Sequence, residues 1–284
     1  MKAKFGPGGN SDAFKRAGGK STLQAPGFVK SIGLDAYEYE AGNGITGSDS
    51  LFASIGEKAK EHGIKMSFHT PYFISLSSVE KEKRDKSVDY IKRSAQVSDL
   101  LGADIMVVHC GSAAKIDRET AMSYAAETLI NAEKMLYDGG FKVKLGIETM
   151  GKINQLGTLD EVLRLCKISK LFAPVVDFGH MNAREKGILK TSDDFKRIFD
   201  SISTQLGAEY AENLHCHFSK IMYTEMGEKK HLTFEDDLYG PDFEPLAKAM
   251  VELGVSPTII CESAGTQSDD ALYMKQVYER EKAK

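Results

Sequence analysis

The feature that most constrains this chain is an alternation, kept up from the first residues to the last, between short apolar runs and longer amphipathic stretches. Strand-like runs are expected at Ala3–Phe5, Ala36–Tyr39, Lys65–His69, Ile105–His109, Lys144–Glu148, Pro174–Asp177, Asn213–His217 and Thr258–Glu262. Between them, apolar residues recur at three- and four-residue spacing over Leu51–Glu61, Val88–Leu101, Ala121–Leu136, Leu159–Cys166, Asp194–Leu206 and Phe243–Leu253, the mark of helices with one buried face. Glycine tolerates the left-handed conformation that closes a helix, so Gly33, Gly63, Gly102, Gly139-Gly140, Gly207 and Gly254 read as helix stops before the next strand. Eight strands, each followed by a helix, is the pattern of an α/β protein of the (β/α)8 TIM-barrel class, with residues 1–284 as a single domain. A doubly wound open sheet has the same alternation, and strand order cannot be read from the chain.

Composition narrows the function. A net charge of −4 gives no global attraction to a polyanion, so nucleic-acid binding would require a local basic patch or bound cations. No run is long and apolar enough for a membrane span or a leader peptide, and a cytoplasmic, monomeric protein with no membrane association is expected. The cysteines Cys110, Cys166, Cys216 and Cys261 form no CxxC pair. Three of them adjoin a His or Glu in an apolar run. Neighbours on a strand face opposite sides, so these thiols should lie in the packing layer behind a site.

That site is written at six successive strand ends: SFHTP (His69), VVHCGS (His109), GIETMG (Glu148), VVDFGH (Asp177 and His180), LHCHFSK (His215 and His217) and CESAG (Glu262). Taken singly, each has a bland explanation as a hydrogen-bonded core histidine, a helix cap or an ion-pair partner. Together they are harder to dismiss, because several ionisable groups buried at one end of a barrel need mutual pairing or shared cations. Imidazole mixed with carboxylate suits Zn²⁺, Mn²⁺ or Fe²⁺ better than Ca²⁺ or Mg²⁺ alone. His215 and His217 lie two apart on one strand and can face the same side. One is read as a direct ligand and the other as its support.

These residues resemble the endonuclease IV family of apurinic/apyrimidinic endonucleases, within the xylose-isomerase-like barrels. The resemblance rests on His69-Thr-Pro-Tyr72, His109-Cys-Gly-Ser112, Glu148-Thr149, Asp177-Phe-Gly-His180, His215 four residues before Ser219-Lys220, His231, and Glu262. It implies a cluster of two or three zinc ions, with Mn²⁺ as the alternative, held by His69, His109, Glu148, Asp177, His180, His215, His231 and Glu262. In that scheme Glu148 bridges two ions, Glu148, Asp177 and Glu262 carry the catalysis, and Tyr72 and Phe73 contact substrate. The implied partner is duplex DNA with an abasic site, cut on its 5′ side. His215 is preferred over His217 on this alignment.

Three departures stand out. Lys229 occupies the place of an aspartate in the family's Asp-x-His pair, and an ammonium cannot ligate a metal. The third ion position is therefore expected to be empty, weak or completed by Glu228 or Glu225. The stretch after the second strand, Glu38 to Gly44, is acidic and short where the family carries a basic DNA-penetrating loop. Phe234-Glu235-Asp236-Asp237 is likewise acidic. An alternative function is therefore a sugar isomerase or epimerase with one divalent ion on Glu148, Asp177, His215 and Glu262, for which His69 and His109 are not needed as ligands.

Overall fold

The computed structural model describes residues 2–284. Ten strands form: β1 (Lys4–Pro7), β2 (Ala36–Glu40), β3 (Lys65–His69), β4 (Ile105–His109), β5 (Lys144–Glu148), β6 (Phe172–Asp177), β7 (His215–Phe218), β8 (Ile221–Thr224), β9 (Gly227–His231) and β10 (Thr258–Cys261). Eight make one parallel sheet in the order β1-β10-β7-β6-β5-β4-β3-β2, with helices packed around it. The two outer strands of that order meet each other. Asp35 N donates to Phe5 O at 2.9 Å and Gly9 N to Glu38 O at 3.0 Å, which bends the sheet round into a nearly closed barrel. The open doubly wound alternative is thereby excluded. Among the described residues, no helix is long and apolar enough to cross a membrane.

Closure depends on a missing side chain. A Cβ on Gly6 would lie 1.8 Å from the carbonyl oxygen of Ala36, inside the backbone of the neighbouring strand. Only glycine allows β1 and β2 to approach this closely.

The period-two alternation of each strand then sorts residues between barrel interior and helix layer. On β4 the inward set is Ile105, Val107 and His109, and on β6 it is Ala173, Val175 and Asp177. Ile105, Val107, Ala173 and Val175 form a small apolar cluster of their own inside the barrel, below the polar residues at the strand ends. The outward sets pack under the helices, and all four cysteines are free and buried in that layer, as strand alternation predicts for Cys110, Cys216 and Cys261. Burial pushes the thiols of Cys110, Cys166, Cys216 and Cys261 upward, so they stay protonated filler.

Four strands or helices, Lys65–His69, Ile105–His109, Lys144–Glu148 and Leu159–Cys166, have the bounds expected from sequence, and most others shift by a few residues. Gly63, Gly102 and Gly254 do end helices in the left-handed conformation. Gly207 does not: its φ of 120° and ψ of 154° place it in an extended bend before a further short helix, Ala208–Glu212. The β8–β9 hairpin has no counterpart in the expected pattern, because its strands are too short and polar to show a hydrophobic period.

Gly6→Ala should destabilise the fold by about 3 kcal/mol or more, at or above the top of the usual overpacking range, since backbone rather than a mobile side chain must give way. Urea unfolding followed by circular dichroism checks it, and a wild-type midpoint would show that β1 and β2 can separate without cost.

Candidate metal centre

Six of the seven histidines and six carboxylates gather at the C-terminal ends of the strands: His69, His109, His180, His215, His217 and His231 with Glu38, Glu40, Glu148, Asp177, Glu228 and Glu262. The architecture explains the convergence. Adjacent parallel strands bring equivalent inward positions side by side, so His109 pairs in register with Glu148, and Asp177 with His217.

Glu148 lies at the centre and is fully buried. Its Oε2 is 3.4 Å from His69 Nε2 and 3.2 Å from His109 Nε2, and its Oε1 is 2.9 Å from His217 Nδ1 and 3.6 Å from His180 Nδ1. One carboxylate therefore faces imidazoles on two sides. Yet Glu148 Oε2 and Asp177 Oδ2 accept no aligned hydrogen bond. Asp177 explains its own case: Oδ1 caps the short helix Phe178–Arg184 by accepting from His180 N at 2.8 Å, which leaves Oδ2 turned toward the site.

The histidine tautomers sharpen the point. His69 Nδ1 donates to the Thr70 carbonyl at 2.9 Å, and His180 Nδ1 to the Thr149 carbonyl at 3.0 Å. A carbonyl only accepts, so in the neutral ring Nδ1 holds the proton and Nε2 presents a lone pair. Those lone pairs face Glu148 Oε2 and, at 3.5 Å, Glu228 Oε2. Acceptor facing acceptor in a buried place needs a positive charge between them, and the donor set of imidazole and carboxylate suits zinc or manganese. Protons answer the same need: burial works against a charged His69, but Glu40, Glu148 and Glu38 outweigh it and raise its pKa to about 10. His180 is likewise raised to about 9, with Asp177, Glu228 and Glu148 overcoming burial. Burial drives Glu40 up to about 7 and Glu262 well above the usual carboxylate range.

Five groups of ligand atoms lie close enough to share an ion. Three carry expected ligands: His69, Glu148 and His217; Glu148, Asp177, His217 and Glu262; and His180, Glu228 and His231. The other two centre on Glu38, one with His215 and His217 and one with Glu40 and Glu262. His109 joins the first through its contact with Glu148. The expected ligands His69, His109, Glu148, Asp177, His180, His231 and Glu262 thus meet in one place.

His215 stands apart from the groups around Glu148. The register puts His217 opposite Asp177, whereas His215 pairs with Val175, one inward position lower, and its Nε2 donates to Glu38 at 2.8 Å. His217, not His215, reaches Glu148, Asp177 and Glu262, whereas His215 shares a group with Glu38 and His217.

Lys229 stands where the family pattern breaks. The β8–β9 pairing runs Met222 with Lys230 and Tyr223 with Glu228, which leaves Lys229 as an extra residue in a β-bulge. The bulge brings Glu228 and His231, three apart in sequence, to the same face beside His180. Lys229 itself is exposed, and Glu225 pairs with Lys186 at the surface. Glu228, the substitute considered from sequence, therefore stands where the third ion position would be. His231 is held from behind by a 2.9 Å contact between its Nδ1 and Ser219 Oγ.

A correction is at β2. The strand runs to Glu40, one residue past the expected Tyr39, and the carboxylates of Glu38 and Glu40 both join candidate ion groups where an acidic loop was expected. The alternation Ala36-Tyr-Glu38-Tyr-Glu40 carries that signal. Tyr72 is 57% exposed and stacks on the His109 ring at 5.6 Å, whereas Phe73 leans away onto Tyr90. A cavity of about 190 Å³ opens at this face, lined by Gly8, Glu40, Tyr72, His231, Glu262 and Gln267. A larger one, about 460 Å³, opens at the opposite end among Lys65, Asp104 and Lys144. Of the clustered histidines and carboxylates only His215 lines it, so size does not identify the site here.

The fold and the strand-end cluster define a parallel barrel with buried His, Glu and Asp groups able to hold metal ions. The chain belongs to the xylose isomerase-like TIM barrel family, whose model matches residues 27–280. It is 30% identical over 255 residues to an uncharacterised protein of Methanocaldococcus jannaschii, covering 89% of this chain and 90% of that one. It is 28% identical over 185 residues to a probable endonuclease 4 of Acholeplasma laidlawii, covering 60% of this chain and 58% of that relative, so the match spans under two thirds of the endonuclease. Among solved structures, endonuclease IV from Thermus thermophilus superposes with a TM-score of 0.66 at 18% identity, covering 98% of both chains. A D-tagatose 3-epimerase-like protein does so at 0.70 and 18% identity, covering 98% of this chain and 96% of that one. At such identities the likeness speaks for the fold alone.

Glu228→Gln should weaken zinc at the third group by about 10-fold or more, because it removes the one carboxylate that meets His180 and His231 together. Lys229→Ala should leave zinc binding within about twofold, since surface charges at this distance are well screened. Competition titration against a chromogenic chelator reads both, and the opposite ranking would reject the bulged register.

Proposed function

We propose that this protein is a metal-dependent phosphodiesterase of the endonuclease IV type that cuts DNA on the 5′ side of abasic sites. The observation that carries the reading is Glu148 with histidines on both sides of its carboxylate, next to a separate His180–Glu228–His231 group. A one-ion enzyme has no use for His69, His109 or the third group as ligands. A multinuclear phosphoesterase uses all of them. In this proposal His69, His109 and Glu148 hold one ion, Glu148, Asp177, His217 and Glu262 a second, and His180, Glu228 and His231 a third, with zinc as the expected metal. Such ions supply a lowered water pKa and positive charge for the phosphate and its leaving oxygen.

The chain's own residues supply the rest. Glu148 ties two groups into one unit and fixes their separation. The Thr70 and Thr149 carbonyls lock His69 and His180 with Nε2 toward the site. The exposed ring of Tyr72 offers a flat face against which an unstacked sugar or base can lie beside the phosphate. Phe73, which was grouped with Tyr72 from sequence, is left out of this role because it packs on Tyr90.

One observation favours a second reading, a sugar isomerase or epimerase. The cavity at the strand ends is lined by Glu40, Glu262 and Gln267 and by no Lys or Arg, which suits a small hydroxylated substrate better than a phosphate backbone. That enzyme would need only Glu148, Asp177, His217 and Glu262.

Two variants separate the readings. Glu148→Gln should abolish incision of a duplex with a single abasic site and lower the zinc content, as a bridging carboxylate serves two ions. His69→Ala should lose one ion and suppress incision. If His69→Ala keeps the wild-type metal content, and the wild type interconverts ketose epimers without cutting the duplex, the sugar enzyme replaces the phosphodiesterase.

A further inference from the structure

Glu38 has no part in the ligand groups of the proposed function, yet it is fully buried beside them. Its Oε2 accepts from His215 Nε2 at 2.8 Å, and its Oε1 lies 2.8 Å from His217 Nε2. The other nitrogen of His217, Nδ1, is 2.9 Å from Glu148 Oε1 and 3.4 Å from Glu262 Oε1. His217 is thus held between carboxylates on its two edges, and Glu38 is the nearest of the three it meets. The aligned hydrogen bond of the ring is the one between Nδ1 and Glu148 Oε1, while Nε2 is tilted out of alignment with Glu38 Oε1, so a proton on Nε2 belongs to the ring with a cation at its Nδ1 edge.

The two edges differ in chemistry. On the Nδ1 edge, Asp177 and Glu262 converge with Glu148, a set of acceptors that calls for a cation. On the Nε2 edge there is Glu38, whose second oxygen is already engaged by a histidine N–H. A ring nitrogen facing a lone carboxylate at 2.8 Å is at hydrogen-bond separation, and the carboxylate can only accept.

We infer that Glu38 is a positioning residue: it keeps the proton on His217 Nε2, so that the Nδ1 lone pair points at the Glu148–Asp177–Glu262 group, while His215 braces Glu38 from its far side. The arrangement His215–Glu38–His217 is a carboxylate–histidine support of the kind that fixes ring orientation and raises the basicity of a metal-binding imidazole. It also gives His215 a role that explains a second histidine two residues before the ligand: the inward position below the ligand is where a brace for Glu38 has to stand. The inference rests on the proposed reading of His217 as a ligand, and it holds for either substrate class, because both readings use that ion.

The test measures zinc binding and ring protonation, not turnover. Glu38→Gln, nearly isosteric, and Glu38→Ala are compared with wild type by chelator competition and by ¹⁵N-edited imidazole spectra of the zinc-loaded protein. Wild type should show His217 protonated at Nε2 and metal-bound at Nδ1. Glu38→Ala should weaken one ion by about 10- to 100-fold, with the other ions unchanged. Glu38→Gln should weaken it less, since its amide oxygen still accepts from His217. Affinity within about twofold of wild type in both variants, with an unchanged His217 spectrum, would overturn the assignment. His217→Ala separates the two levels of the argument. If it loses the ion while both Glu38 variants keep it, the support role alone fails. If it keeps the full metal content, His217 is not a ligand, and the proposed site falls with the inference.

Discussion

The structure depends on how this chain compensates carboxylates buried together at one end of a barrel. Glu38, Glu148 and Asp177 are fully buried, and Glu40, Glu228 and Glu262 lie beside them. Each isolated buried ion costs several kcal/mol even after relaxation, more than most single contacts return. Six histidines share that load, and the carboxylates raise the pKa of His69 and His180 above the ordinary imidazole range against the effect of burial. The same arrangement that stabilises imidazolium stabilises a divalent cation. Proton and metal are alternative solutions to one electrostatic problem.

Around that centre the barrel separates two jobs by strand parity. Outward residues, including the cysteines, hold the helices, and inward residues change along each strand from apolar to ionisable. Ile105, Val107 and His109 show the gradient on β4, as do Ala173, Val175 and Asp177 on β6. The apolar floor keeps water from the lower side of the ligands, which strengthens every charge interaction above it. Backbone carbonyls at the strand ends, those of Thr70 and Thr149, then set which nitrogen of each ring faces inward. Positioning is thus built from main chain and strand register, which are stiffer than side-chain contacts.

The same barrel occurs in proteins named as an endonuclease and as a sugar-epimerase-like protein, and the barrel alone does not choose between them. In this chain the distinguishing residues lie outside the Glu148–Asp177–His217–Glu262 group: histidines on β3 and β4, a hairpin after β7 that carries Glu228 and His231, and an acidic pair on β2. The hairpin is an insertion between strand and helix, the place where a barrel can acquire ligands without disturbing its core.

Much of this was legible in the sequence. The alternation of short and long periods gave eight strands and their helices, because burial on one face imposes the period directly. The strand-end ligands stood out because His and carboxylate seldom close apolar runs. What the chain could not reveal was which of two inward histidines would stand level with Asp177, since parity is the same for His215 and His217 and only the stagger between neighbouring strands distinguishes them. Nor could it reveal the bulge at Lys229, which changes which residues share a face and so substitutes Glu228. Glu38 lies in a strand already legible in the sequence, but that its carboxylate and that of Glu40 face the site, and not an acidic loop, follows only from closure of the barrel against β1. Sequence determined the periods and the chemical types; tertiary structure decided register, because register is settled by pairing with strands far away in the chain.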